Sequence, residues 1–322
     1  MTKAKVHEKY EALIRLCDTC SPVRTAVVHP CDEGSLQGAL MATDAQIIDP
    51  ILVGPRSKIE RQASALGCDI SKIPLFDVPH SHAAAERAVE LARAGKVDAL
   101  MKGSLHTDEL MAAVVRKDGG LRTGRRVSHV FIMDVPTYHK PLFITDAAVN
   151  IFPSLDDKAD IVQNAIDLAI VLGVAHPKVA ILSAAETVNS KIPSTIDAAA
   201  LCKMADRGQI TGGILDGPLA FDNAISAEAA RTKNIVSDVA GDADILVVPD
   251  LEAGNMLAKV ITFLAHADGA GIVLGAQVPI VLTSRADTPQ ARLASCAVAA
   301  LYAQARRVKL PVVDGTLSQT HA

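Results

Sequence analysis

Val127-Ser-His-Val-Phe-Ile-Met-Asp-Val135, Pro136-Thr-Tyr-His-Lys-Pro141 and Leu142-Phe-Ile-Thr145 form the stretch on which the fold turns. Two apolar, β-branched runs flank a turn that begins and ends in proline, which predicts an antiparallel ribbon. Outward from it the chain alternates. Short apolar runs at Thr25–Val28, Ile51–Val53 and Val97–Met101 precede the ribbon. Val179–Leu182, Ile214–Leu215, Ile245–Val248, Gly271–Leu274 and Pro279–Thr283 follow it. Between them lie Ala- and Leu-rich stretches with helical spacing, such as Ala83–Ala94, Asp157–Val171, Ala198–Met204, Ala227–Ala230, Glu252–Ala265 and Ala291–Ala305. Strand–helix–strand repetition predicts an α/β fold of mostly parallel sheet with helices on both faces. The continuous apolar strands fit burial on both sides. The ribbon breaks this pattern, so the lobe boundary is placed beside it. Residues 1–140 with 287–322 are expected as one α/β lobe and 141–286 as the second, with the ligand cleft between them.

The chain has 322 residues and a net charge of −4, with 49% apolar and 21% charged residues, a globular composition. Aromatics are scarce, with no Trp, three Tyr and six Phe, so the core must be aliphatic. A slightly acidic, aromatic-poor chain lacks the charge and the stacking platforms of general nucleic-acid binders. No run approaches the ~18 apolar residues of a membrane span, and the charged start Met1–Tyr10 has no apolar signal core. Six sparse cysteines suggest a reducing, cytoplasmic setting. Cys17, Cys20, Cys31 and His29 could be drawn as a zinc site, but no second ligand pair has the spacing, and thiols packing as small apolar groups explain them better.

Chemistry is sought in the loops beyond the strand ends. The G-x-x-x-x-G-K-[ST], G-x-S-x-G and H-E-x-x-H patterns do not occur. Thr283-Ser284-Arg285-Ala286-Asp287-Thr288-Pro289 is the most chemical stretch: Thr288 and Pro289 suit a helix start, but capping does not explain Ser284-Arg285 on an apolar strand. An arginine there can grip two phosphate oxygens, and Ser284 can donate to an oxyanion. Lys102-Gly103-Ser104-Leu105-His106-Thr107 ends another strand and offers a cation and approachable backbone amides. Asp108 and Glu109 follow at the helix start and would repel an anion on that axis. Gly254 and Asn255, after Asp250, are poor helix formers where a helix is expected, which points to close backbone approach. Asp146, Asn150 and Asp216 stand at or just beyond strand ends, where capping would also explain them. Arg122, Arg125 and Arg126 form a local basic cluster able to face the phosphates of a large anionic cofactor. Ser128 and His129 follow within an apolar strand.

Taken in order, these loops resemble those of the phosphate acetyl/butyryltransferase family. The likeness rests on Met101-Lys-Gly-Ser104 with His106-Thr107, Arg122-Thr-Gly124, Ser128-His129-Val130 and Thr145-Asp-Ala-Ala-Val-Asn150. It continues through Thr195–Leu201, Asp216–Ala220, Val236–Gly241, Pro249–Asn255 and Leu282-Thr-Ser-Arg285, and leans to the butyryl-type branch. The resemblance implies an isocitrate/isopropylmalate-dehydrogenase-like fold and reversible transfer of an acetyl-to-butyryl group between coenzyme A and inorganic phosphate. It further implies a homodimer or larger homo-oligomer, no metal and no tightly bound cofactor. Carried onto matching residues, it gives Ser284 a role at the tetrahedral intermediate and Arg285 a role on phosphate. The remaining loop residues named above become substrate contacts.

Two departures stand out. Acetyl-type members carry an aspartate, proposed as the base for the thiol, where this chain has Ala291; Asp287 is the substitute candidate. They also place an arginine in the helix after the Lys102 loop, where this chain has Met111-Ala112-Ala113. Two alternatives stay open on sequence: an NAD- and metal-dependent decarboxylating dehydrogenase of the sister fold, and a non-catalytic acyl-CoA-binding protein.

Overall fold

A computed structural model describes residues 8–283 and 287–307. Its centre is one sheet of eleven strands: β1 (Val23–Val28), β2 (Ile48–Gly54), β3 (Leu75–Asp77), β4 (Ala99–Lys102), β5 (Ser128–Asp134), β6 (Leu142–Thr145), β7 (Lys178–Leu182), β8 (Ile214–Leu219), β9 (Ile245–Val247), β10 (Asp268–Leu274) and β11 (Ile280–Val281). The spatial order is β3-β2-β1-β4-β11-β10-β5-β6-β9-β7-β8. The first five strands in that order are mutually parallel, and so are the last four. Between them β10 runs antiparallel to both β11 and β5, and β5 antiparallel to β6. Three reversals separate the two parallel sets, so they point in opposite directions. The ribbon expected at 127–145 is the β5–β6 pair. β10 and β11, late in the chain, lie on the β4 side of it.

Pleating explains why the strands read as unbroken apolar runs. Val27 faces the core under α2 (Glu33–Asp44) and α11 (Pro289–Arg307). Its neighbours Ala26 and Val28 face the core under α4 (Ser81–Arg93) and α5 (Thr107–Val115). A third cluster joins β6, β7 and β9 to α10 (Leu251–Leu264). The long helix α6 (Leu155–Val171) lies on the α2/α11 face and opens with a capping box, Ser154 against Asp157. Thr288 caps α11, accepting from Ala291 N at 3.1 Å, as its place before Pro289 predicts. Cys17 and Cys296 are buried in the aliphatic core, and the Cys17 thiol meets the Ala297 carbonyl.

These three reversals of strand direction fix where loops gather. α5 leaves the end of β4 and runs back along the sheet. The end of β6 and the start of β5 share one edge, because those strands are antiparallel neighbours. α5, the 122–127 loop and the 146–151 turn therefore face one another.

Candidate active site

These three segments, with the start of α6 and Leu251, enclose a cleft of about 980 Å³. One wall is α5: Met111, Ala112 and Val115 form its apolar part, with Thr107 and Asp108 at the polar start of the helix, all at helical spacing. The opposite wall is polar, carrying Arg122, Thr123, Arg125 and Arg126, then Asn150, Asp157 and Asp160.

The basic loop is held from behind. Thr123 Oγ1 donates to the Gly275 carbonyl at 2.6 Å and accepts from Arg125 N at 3.1 Å. A Cβ at Gly275 would stand 2.2 Å from the Arg126 carbonyl, so only glycine admits this approach. Arg125 is paired with the buried carboxylate of Asp167. The Arg126 amide donates to Asp160 at 2.7 Å, its Nε donates to Asn150 Oδ1 at 2.7 Å, and Asp157 lies 3.4 Å away.

Asn150 is the hinge-pin of the polar wall. Its Nδ2 donates to the Val127 carbonyl at 2.9 Å and to Asp146 at 2.5 Å. Asp146 in turn accepts the amides of Ala148, Val149 and Asn150 at 2.9, 3.0 and 3.1 Å. Burial pushes the Asp146 carboxyl above its ordinary range, against the downward pull of these donors. Asp146 thus shapes the turn from inside, and Asn150 passes that order to Arg126.

The remaining sequence candidates divide. Lys102 is buried at the end of β4, with Nζ 3.4 Å from the Gly103 carbonyl. Gly103 is required by close packing, since a Cβ there would meet the Val28 carbonyl at 2.3 Å. Ser104 is tied to His29, donating to its carbonyl at 2.8 Å and lying 3.0 Å from its Nδ1. His106 is exposed at the start of α5, and Thr107 follows it into the cleft.

Others sit away from the cleft for evident reasons. Ser128 is fully buried and accepts from Asn164 Nδ2 at 2.9 Å. His129 is fully buried against Phe131, ring centroids 4.3 Å apart, and neither ring nitrogen has a partner of full hydrogen-bond geometry. Burial pushes its imidazole down to about 4, although the Leu282 carbonyl acts the other way. Asp216 lies on β8, at the far edge of the sheet, receiving the Gly217 amide. Asp250 caps α10 by accepting from Ala253 N, and Asn255 donates to the Ala147 carbonyl at 3.3 Å. Gly254 answers the helix-propensity puzzle: a Cβ would stand 2.9 Å from the Asp146 carbonyl and 3.0 Å from the Ala147 Cα. The close approach is made by the chain's own 146–147 turn. Ser284 and Arg285 lie outside the described residues; Asp287, which is described, is half-buried.

Sequence reasoning missed the apolar wall. Met111 and Ala112 are recognised there only as the absence of an arginine, whereas the 107/108/111/112/115 spacing carried the positive signal. Asp157 and Asp160 look like helix-start acids, and nothing in the sequence aims them at the 122–127 loop.

Residues 81–300 match the family model described as phosphate acetyl/butaryl transferase. A phosphate acetyltransferase of Rhizobium meliloti is 65% identical over 299 residues, covering 93% of this chain and 95% of that protein. A phosphate butyryltransferase of Clostridium acetobutylicum is 42% identical over 280 residues, covering 87% and 93%. Among solved structures, a branched-chain phosphotransacylase from Enterococcus faecalis V583 superposes with a TM-score of 0.76 at 31% identity, covering 87% of this chain and 99% of that one.

Proposed function

This chain belongs to the phosphate acetyl/butyryltransferase family and is a phosphate acyltransferase, and from that premise we propose how its own cleft does the work. Acyl transfer, rather than the dehydrogenase or binding-only alternatives, is the chemistry its relatives carry. In our reading, coenzyme A lies along the cleft with its phosphates on Arg122, Arg125 and Arg126. Its pantetheine arm runs over Met111, Ala112 and Val115, and the thioester reaches the Thr107 end. That end adjoins the strand ends of β4 and β11, which lead to Lys102 and to Ser284-Arg285. The rise along α5 from Thr107 to Val115 is about 12 Å, a length suited to an extended arm. The observation that carries the reading is this pairing of a fixed basic loop with an apolar helix wall across one cleft.

A phosphate oxygen attacks the thioester carbonyl carbon, and a tetrahedral intermediate forms. Its C–S bond then breaks, giving acyl phosphate and the coenzyme A thiolate, which takes a proton. Arg285 and Lys102 hold the phosphate, and Ser284 donates to the oxyanion. Asp287 stays the candidate proton carrier. Asp146 and Asn150 act by ordering the polar wall, and the direct contacts fall to Thr107, Arg125 and Arg126. The same reading includes two α/β lobes, a cytoplasmic setting, a homo-oligomer, and no tightly bound cofactor.

The test is thiol release from acyl-CoAs of two to six carbons, with and without phosphate. Phosphate-dependent release that is lost in Arg285→Ala supports the reading. Release independent of phosphate would overturn it.

A further inference from the structure

Arg292 is out of place for stability. Thr288 caps α11 and Pro289 opens it, so Arg292 stands at the fourth helical position, close to the positive end of the helix dipole. The residue is also only 4% exposed. A guanidinium in both situations is costly unless its donors are used. The surroundings are built to receive it. α2 presents Gly34 and Gly38 one turn apart, where a Cβ would stand 3.4 Å from Arg292 Nη2 and 2.7 Å from its Cδ. The arginine therefore lies against α2 where that helix carries no side chain. From there Nη1 donates to Thr283 Oγ1 at 2.9 Å, with both residues buried.

That bond joins the residues on either side of the stretch 284–291, which carries Ser284, Arg285 and Asp287. Leu282, just before it, is seated as well. Its amide donates to the Gly271 carbonyl at 3.3 Å. Its own carbonyl shares with His129 Nε2 the space that a Cβ at Gly271 would fill, at 2.7 and 2.9 Å from that point. Two consecutive residues beyond β11 are thus fixed immediately ahead of Ser284. We infer that Arg292 is a positioning residue for acyl transfer: through Thr283 it fixes the strand end that leads into Ser284 and Arg285. The inference rests on the reading above, in which those two residues serve the oxyanion and the phosphate, and it names the group that orders them. A guanidinium suits the task, because its planar fork keeps a direction that a lysine ammonium does not. Misplacing a reacting group by about 1 Å can cost on the order of a hundredfold in rate. A single buried hydrogen bond at the base of the segment therefore bears on turnover without touching substrate.

Steady-state thiol release, with phosphate and acyl-CoA varied in turn, tests it. Thr283→Val keeps the branched shape and removes the acceptor, so kcat/KM for phosphate should fall about tenfold or more. KM for acyl-CoA should stay within about two-fold. Thr283→Ser returns the hydroxyl and should recover to within about three-fold of wild type. Arg292→Met should match Thr283→Val, and the double variant should be no worse than either single one, because all three remove the same bond. A strut that merely packed α11 on α2 would lower Tm and leave these ratios unchanged. The inference is overturned by a Thr283→Val enzyme with wild-type kcat/KM for phosphate, by a Thr283→Ser enzyme as impaired as Thr283→Val, or by losses that multiply in the double variant. Thr283→Val decides the matter even where Arg292→Met does not fold. A wild type whose thiol release ignores phosphate overturns the underlying reading and this inference together, whereas an active wild type beside an unaffected Thr283→Val overturns the inference alone.

Discussion

Replacing Asn150 with alanine isolates the step by which a buried turn orients a cleft arginine. The side chain makes three hydrogen bonds, to Val127, Asp146 and Arg126, at 2.9, 2.5 and 2.7 Å. Alanine leaves the buried Val127 carbonyl without that donor and removes one of four from the Asp146 carboxylate. At roughly 1–3 kcal/mol for each buried group left short, and some relief from water entering the gap, the net loss is about 3 kcal/mol. For a chain of 322 residues that lowers Tm by about 4–5 °C. Arg126 loses the acceptor that fixes its Nε, so its contact with an anion must be ordered at binding. A cost near 1 kcal/mol raises KM for acyl-CoA about five-fold, with kcat nearly unchanged. The assay is thiol release at saturating phosphate, 25 °C, with Tm followed by circular dichroism. Loss of Tm with KM held within two-fold of wild type would refute the idea that Asn150 positions Arg126 for substrate. Asn150→Asp sharpens the test, because it keeps the volume but sets a second carboxylate against Asp146, and should destabilise at least as much.

Three further outcomes are expected. Arg126→Ala should raise KM for acyl-CoA five-fold or more, and the penalty should shrink as salt is raised, since the lost contact is electrostatic; a salt-independent penalty would count against phosphate contact. Gly254→Ala forces a methyl against the Asp146 carbonyl and Val248, and overpacking of about 1–3 kcal/mol should lower Tm by several degrees; an unchanged Tm in differential scanning calorimetry would show that α10 can shift freely. Burial pushes Asp242 up, but Lys178 and Lys140 outweigh it and hold the carboxyl at about 2 in place of 3.8. A depressed carboxyl stabilises above its unfolded value and loses that stability as pH falls from about 4 to about 2. Because the side chain is 40% exposed, we expect about 1 kcal/mol after screening, so Asp242→Asn should flatten part of the acid limb of Tm against pH.

How much of this could be read from sequence depended on whether the signal was local. The β5–β6 ribbon was legible because proline at both ends of the turn and the apolar alternation sit within nineteen residues, 127–145. The buried strands were legible because each carries a short run of consecutive apolar residues. β3, by contrast, is three residues long behind Pro74 and exists only because β2 offers it an edge. Lys102, Gly103 and Ser104 read as substrate contacts in sequence, and in the fold the last two pack against Val28 and His29. Ser128 and His129 enter the site only through the family resemblance, and pleating turns them into the core. The basic loop was legible as a cluster, but its rigidity comes from Gly275, Asn150 and Asp167, up to 152 positions away in the chain. A one-dimensional reading sees charge. It does not see what holds the charge still.

That distinction bears on whether the reaction needs a general base. A thiol of pKa ~8.5 is reached as thiolate at pH 7 for only about 2 kcal/mol. In the acyl-CoA-to-phosphate direction that thiolate is the leaving group, and phosphate is already an anion. What the transition state lacks is positive charge beside oxygen and sulfur, not a proton acceptor. The described residues lining the cleft include no histidine. His129, buried with its imidazole at about 4, is mismatched to a thiol by several units. An aspartate near its ordinary ~3.9 would be equally mismatched. A guanidinium near the sulfur lowers the thiol pKa and grips phosphate at once. On that ground Arg285 should outweigh Asp287: Arg285→Ala is expected to lose tenfold or more in kcat/KM, and Asp287→Asn less than five-fold. The reverse order, with both variants folded, would return the base to the mechanism.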